Sequence, residues 1–95
     1  MPAYVIVEVD VKDPERYDDY KVMAPSSISA FGGRYLARGG ACELFEGDVP
    51  PKRIVILEFS SIQRAKAWLE SSEYREARQL RHATASTRMI AVEGL

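Results

Sequence analysis

Val5, Val7, Val9 and Val11 alternate with Tyr4, Ile6, Glu8 and Asp10, the period of a strand with one strongly apolar face. Asp13, Pro14 and Glu15 follow, in the order of a capping residue, a proline suited to a first helical turn and an acid favoured by the positive end of the helix dipole. Tyr17, Tyr20 and Ala24 then recur on one helical stripe. Pro25 lacks a donor and predicts an end or kink there, with a short continuation closing at Gly32. Residues 34–38, RYLAR, read as a second strand. Gly39 and Gly40 suit a two-residue hairpin turn, and 41–46, ACELFE, read as a third strand paired with the second. That register sets Arg38 opposite Ala41 and Arg34 opposite Phe45. It places Tyr35, Ala37, Cys42 and Leu44 under the helices and Arg34, Leu36, Arg38 and Glu43 on the other face, an assignment a bulge would reverse. Residues 54–59 form a central strand, with Ile54 and Ile56 on one side and Val55, Leu57 and Phe59 on the other. Ser60 and Gln63 stand at capping-box spacing before a helix carrying Ile62, Ala65 and Leu69. A second helical piece, capped by Ser71 or Ser72, leads into a last strand at 87–93.

The order is β-α-β-β-α-β with minor additions, an α+β, ferredoxin-like pattern of one antiparallel sheet with helices on one face. Both sides of the central strand are apolar, and the helices cover only one. A second copy of the sheet is the simplest cover for the other, so a homodimer is expected.

Composition narrows the function. With 95 residues the chain is expected to form a single domain over 1–95. A formal net charge of -1 gives no general attraction to nucleic acid or anionic membranes. The amino-terminal run is broken by Glu8 and Asp10, and no segment approaches a membrane span, so a cytoplasmic protein that binds neither nucleic acid nor membrane is expected. One cysteine, Cys42, and one histidine, His82, leave no intrachain disulfide and no multi-histidine metal site; no metal and no cofactor are expected. The glycine pairs around 34–38 match no phosphate-loop spacing and read as turns.

The segments YVIVEVDVKDPERYDDY, GGRYLARGG, LFEGD, RIVILEF, AKAWLESSEYREAR and LRHA, in this order, resemble the domain of unknown function 1330 family of the dimeric α/β barrel superfamily. The resemblance runs nearly end to end and implies a ferredoxin-like fold whose sheet packs on that of a partner chain. It implies no activity, because related barrels include cofactor-free monooxygenases, isomerases, haem enzymes and ligand-binding domains. The chain departs from many members at Val49, Ser60, Leu69 and Ser72.

Candidate chemistry rests on a few side chains. Arg34 and Arg38 suit either ion pairs with Glu43, Glu8 or Glu58 at an interface, which is favoured, or an anion site. Glu58 is a candidate general base if unpaired and a structural group if paired with arginine, the favoured reading. Tyr17, Tyr20, Trp68 and Tyr74 fit a pocket for a planar or apolar ligand, although aromatics at helical spacing are more often core. Arg81 shares a stripe with Tyr74, Ala77 and Ala85, where an arginine pairs with a carboxylate or a bound anion. His82 reads as solvated, and Cys42 as a small buried hydrophobe. The two functions carried forward are a small-molecule-binding protein or cofactor-free enzyme for proton transfer or oxygenation on a small substrate, a carboxylate-bearing one being one option, and a noncatalytic binding or homodimeric assembly module.

Overall fold

The computed structural model describes residues 1–95. In chain order the elements are β1 (Ala3–Val11), α1 (Pro14–Ala30), β2 (Arg34–Arg38), β3 (Arg53–Phe59), α2 (Ile62–Leu69), α3 (Ser72–Thr84) and β4 (Ala85–Glu93). The four strands form one antiparallel sheet in the order β2-β3-β1-β4, the ferredoxin-like arrangement, with the three helices on one face. No helix is long and apolar enough to cross a membrane.

The alternation in β1 is realised directly. Val5, Val7 and Val9 are buried beneath the helices with Leu57 and Phe59 of β3, each burial contributing about 1.5–3 kcal/mol. The Asp13 side chain accepts from the Arg16 amide to start α1. Ser61, not Ser60, caps α2 by accepting from Arg64, and Ser71 caps α3 by accepting from Tyr74.

Helix α1 runs through Pro25 without ending there. Proline removes the amide that Lys21 would receive, a loss of about 3 kcal/mol in an ordinary helix. Here Arg38 Nη2 reaches across from β2 and donates to the Lys21 carbonyl at 2.5 Å, so the acceptor is not orphaned. The helix closes on Phe31, with Gly33 N donating to Ile28 O at 2.9 Å and Gly32 N to Ser29 O at 3.0 Å. This double bond pattern requires the left-handed conformation that Gly32 adopts, φ 73°.

Residues 41–46 form no strand, and the sheet has four strands rather than five. Leu44 and Phe45 are adjacent, so pairing would send them to opposite faces and give neither a consistent apolar side. β2 pairs instead with β3, whose Val55 and Leu57 already face the core. From Gly39 the chain leaves the sheet, and residues 40–50 are all exposed, Cys42 among them; the expected buried cysteine is an exposed one.

The β2–β3 ladder contains the bulge that reassigns the arginines. Arg34 pairs with Glu58 and Tyr35 with Leu57, but Ala37 pairs with Ile56 and Arg38 with Val55, leaving Leu36 as the extra residue. An extra residue inverts the parity of everything beyond it. Arg34 therefore stays on the helix-free face while Arg38 turns to the helix side beside Tyr35.

The helix-free face carries an apolar belt across all four strands: Ala37, Ile56, Ile6 and Ile90 are successive cross-strand partners. Ile90 is 41 % and the nearby Val92 47 % exposed. On one side of the belt Arg34 Nε donates to Glu58 Oε1 at 2.7 Å; on the other Glu8 faces Arg88.

Candidate functional site

Between the helices and the β2–β3–β1 half of the sheet lies a cavity of ≈ 30 Å³. Tyr17 and Tyr20 of α1 and Trp68 of α2 form its aromatic wall, backed by Tyr74 of α3 and Phe59 of β3. Ring centroids run from Tyr17 to Tyr20 at 5.2 Å, Tyr20 to Tyr74 at 6.3 Å, Tyr74 to Trp68 at 4.3 Å and Trp68 to Phe59 at 5.5 Å. Trp68 is fully packed, and its indole Nε1 donates to Ser27 Oγ at 3.1 Å while that hydroxyl donates to Ala24 O at 2.7 Å. A buried indole so satisfied is a fixed wall.

The polar groups of the cavity are cationic or phenolic. Arg38, Arg53, Arg81 and Lys21 all line it, and the lining includes no carboxylate and no histidine. Arg81 is 4 % exposed, yet its side chain meets no acid. Its Nε donates to Tyr74 Oη at 3.2 Å, Nη1 donates to Thr87 Oγ1, and Nη2 lies 3.4 Å from His82 Nε2. A guanidinium is always protonated; here it is buried with only neutral partners. Arg53 lies over the Tyr17 ring at 5.7 Å with its Nε enclosed and without a partner. A Cβ at residue 39 would stand 2.1 Å from the Arg53 guanidinium, so only the glycine found there, at φ 69°, lets the side chain fold over the mouth. Arg38 lies 4.6 Å from the centroid of Tyr35.

The Tyr20 and Tyr74 hydroxyls are 2.6 Å apart, giving a chain from Arg81 through Tyr74 to Tyr20. Burial, reinforced by the Tyr74 hydroxyl, pushes the Tyr20 phenol far above its usual range. Burial also raises Tyr35, against the opposing pull of Arg38. Both phenols are therefore neutral at physiological pH and suited to donating hydrogen bonds rather than abstracting protons. His82 is exposed on the outer side of α3, where partial desolvation and then Arg81 and Arg78 hold its pKa below the usual value.

Of the residues singled out from the sequence, Tyr17, Tyr20, Arg38, Trp68 and Arg81 line the cavity, and Tyr74 stands behind it bonded to Tyr20 and Arg81. Arg34 and Glu58 do not join them. They pair with each other on the opposite face of the sheet, which removes Glu58 as a base for this cavity. Lys21, Tyr35, Arg53, Val55 and Met89 also line it, none of them among the candidate ligand residues. Arg53 was within reach of the pattern, since it continues the parity of Val55, Leu57 and Phe59 by one step; Lys21 and Met89 carry no such mark.

Residues 2–95 match the family described as a domain of unknown function, DUF1330. No curated protein sequence matches the chain. Among solved structures it is similar to RPA0582, a protein of unknown function from Rhodopseudomonas palustris, with TM-score 0.81 and 20% identity over 99% of this chain and 82% of that one. It is also similar to a dimeric ferredoxin-like protein of unknown function from Jannaschia sp. CCS1, with TM-score 0.73 and 12% identity over 99% of this chain and 100% of that one. SnoaB, a cofactor-independent oxygenase from Streptomyces nogalater, superposes with TM-score 0.71 and 9% identity over 99% of this chain and 93% of that one. At these identities the likeness establishes the fold alone.

Proposed function

This chain belongs to the DUF1330 family, and from that premise we propose that it is a homodimeric protein that binds a small carboxylate-bearing molecule in the cavity between helices and sheet. The observation that carries the reading is Arg81, a buried guanidinium with only neutral partners, joined at the cavity by Arg38 and Arg53, while the Lys21 ammonium is already paired with Asp18 at 3.0 Å. Uncompensated positive charge in an enclosed apolar cleft favours an anion far more than the same charges would in water. A carboxylate matches the guanidinium fork in shape and charge. The tyrosines supply flat walls and neutral hydroxyl donors around that group.

If the bound molecule reacts, the lining fits stabilisation of an anion better than abstraction of a proton. Arginine and a neutral Tyr20 hydroxyl can hold negative charge developing on a substrate oxygen, as in cofactor-free oxygenation or enolisation of an already acidic substrate. The cofactor-independent oxygenase of similar fold from Streptomyces supports the oxygenation branch of this reading. The homodimer rests on the belt of Ile6, Ile56 and Ile90 across the helix-free face and on the dimeric Jannaschia protein of like fold. That belt also supports the second reading, an assembly module in which the cavity has no ligand.

Calorimetric titration with acetate separates the two. Binding to the natural chain, lost in Arg81→Met and weakened in Arg53→Gln but kept in Arg34→Met, supports the carboxylate site. Absence of binding, or binding indifferent to Arg81 and Arg53, leaves the assembly module.

A further inference from the structure

The cationic cavity is too small for a complete organic ligand. Its ≈ 30 Å³ would hold little more than a carboxylate or one or two waters, whereas organic ligands occupy several hundred Å³. A groove of ≈ 230 Å³ lies directly beside it, between α2 and the β1–β4 edge of the sheet. Val5, Ile62, Ala65, Leu69, Ile90 and Ala91 supply most of its walls, with Lys66 the one charged residue. Trp68 and Met89 line both spaces. They form the partition between a cationic compartment and an apolar one.

The two halves of that partition differ mechanically. Trp68 is held by its bond to Ser27 and its packing on Tyr74 and Phe59. Met89 is only half-buried and sits opposite Val7 on β4, an edge strand with a neighbour on one side only. Its unbranched thioether has three rotatable bonds and readily changes rotamer. Met89 is therefore the half of the partition able to move.

Deepening the carboxylate reading on which it rests, we propose that the ligand is an amphiphilic carboxylic acid: its carboxylate lies among Arg38, Arg53 and Arg81, and its apolar tail passes Met89 into the α2–β4 groove. The arginines stand at one end of the joined space, and apart from Lys66 the other end is apolar, which is the polarity of such a molecule. Short acids fill the cationic end only and forgo the burial that the groove provides. Met89 is thereby a specificity-determining residue for tail length, and Trp68, the single tryptophan of the chain, reports on occupancy of either side.

The test is titration of the full chain with hexanoate, octanoate and decanoate, and with acetate as an acid lacking a tail, read by calorimetry and Trp68 fluorescence. Affinity is expected to rise roughly two- to fourfold per added methylene, the range set by burial of a CH2 group. Met89→Trp should abolish that gain. Ala91→Leu, at an exposed position of β4, should shorten the preferred chain without touching the partition, and provides the same test if Met89→Trp does not fold. Equal affinities for hexanoate and decanoate with acetate still bound through Arg81 would overturn the tail assignment alone. A length dependence that survives both groove substitutions would overturn it as well, since the tail would then lie elsewhere. Failure of every acid to bind would overturn both the tail and the carboxylate site.

Discussion

Arg38 donates to the carbonyl of Lys21, the acceptor whose helical amide Pro25 takes away. One side chain of β2 thus lets α1 continue through its proline while also lining the cavity. Arg38→Met should lower stability by about 1–2 kcal/mol, the worth of a hydrogen bond from a charged donor. Pro25→Ala restores the missing amide. In that background the same arginine substitution should cost clearly less, and urea denaturation of the four members of the cycle measures the difference. Strict additivity would show that the Arg38 bond does not compensate for the proline.

The neutral phenol of Tyr20 gives the stability profile an alkaline edge. Its folded pKa is raised above the ordinary 10.0 by burial and by Tyr74, so the unfolded chain releases this proton first. The stabilisation is complete below about pH 10 and is lost as pH climbs from there toward the folded value. Denaturation midpoints between pH 9 and pH 11 should fall, and Tyr20→Phe should flatten part of that fall. Tyr35, raised in the same direction, accounts for some of the slope that remains. An unchanged slope in Tyr20→Phe would mean that the hydroxyl is not sequestered.

The period-two run of β1, the Asp13–Pro14 start of α1 and the buried stripe that carries Arg81 were legible because each is written locally, in spacing along one element. The positions of Arg34 and Arg38 were not. RYLAR alternates cleanly, but its partner is β3 rather than 41–46, and the extra residue Leu36 is defined only against that partner. The separation of Glu58 from the cavity follows from the same register. Arg53 lay one step beyond the strand as first bounded. The cavity is thus composed of residues whose types were visible and whose sides were set by pairing.

Gly33 is a packing glycine. A Cβ built there would stand 2.5 Å from the Phe59 ring and 2.8 Å from Ile28 Cγ2, well inside contact distance and against two buried side chains. Gly33→Ala should destabilise the chain by about 1–3 kcal/mol, the range for overpacking a filled core. Phe59→Leu in the same chain removes most of the obstructing ring. Urea denaturation should then show the alanine costing less than it does against phenylalanine, whereas a purely conformational effect at residue 33 would be indifferent to residue 59.

Ile56 stands near the middle of the helix-free face, between Ala37 and Ile6, with Ile90 next in line. Lysine at this position keeps the β3 backbone and can extend into water from an isolated chain, so circular dichroism should change little. In a face-to-face dimer the same ammonium would be driven into an apolar contact without an acid to meet it, because Glu58 is already held by Arg34. Ile56→Lys should therefore weaken self-association at least a hundredfold, about 3 kcal/mol or more, and move the sedimenting species from a dimer to the 10.7 kDa chain. Arg34→Glu combined with Glu58→Arg keeps the cross-strand pair and should keep the dimer, which makes it the control for general disturbance of the face. If the natural chain already sediments as a monomer at micromolar concentration, the belt has some other cover and the homodimer is wrong. If Ile56→Lys remains dimeric, the two chains meet through another surface.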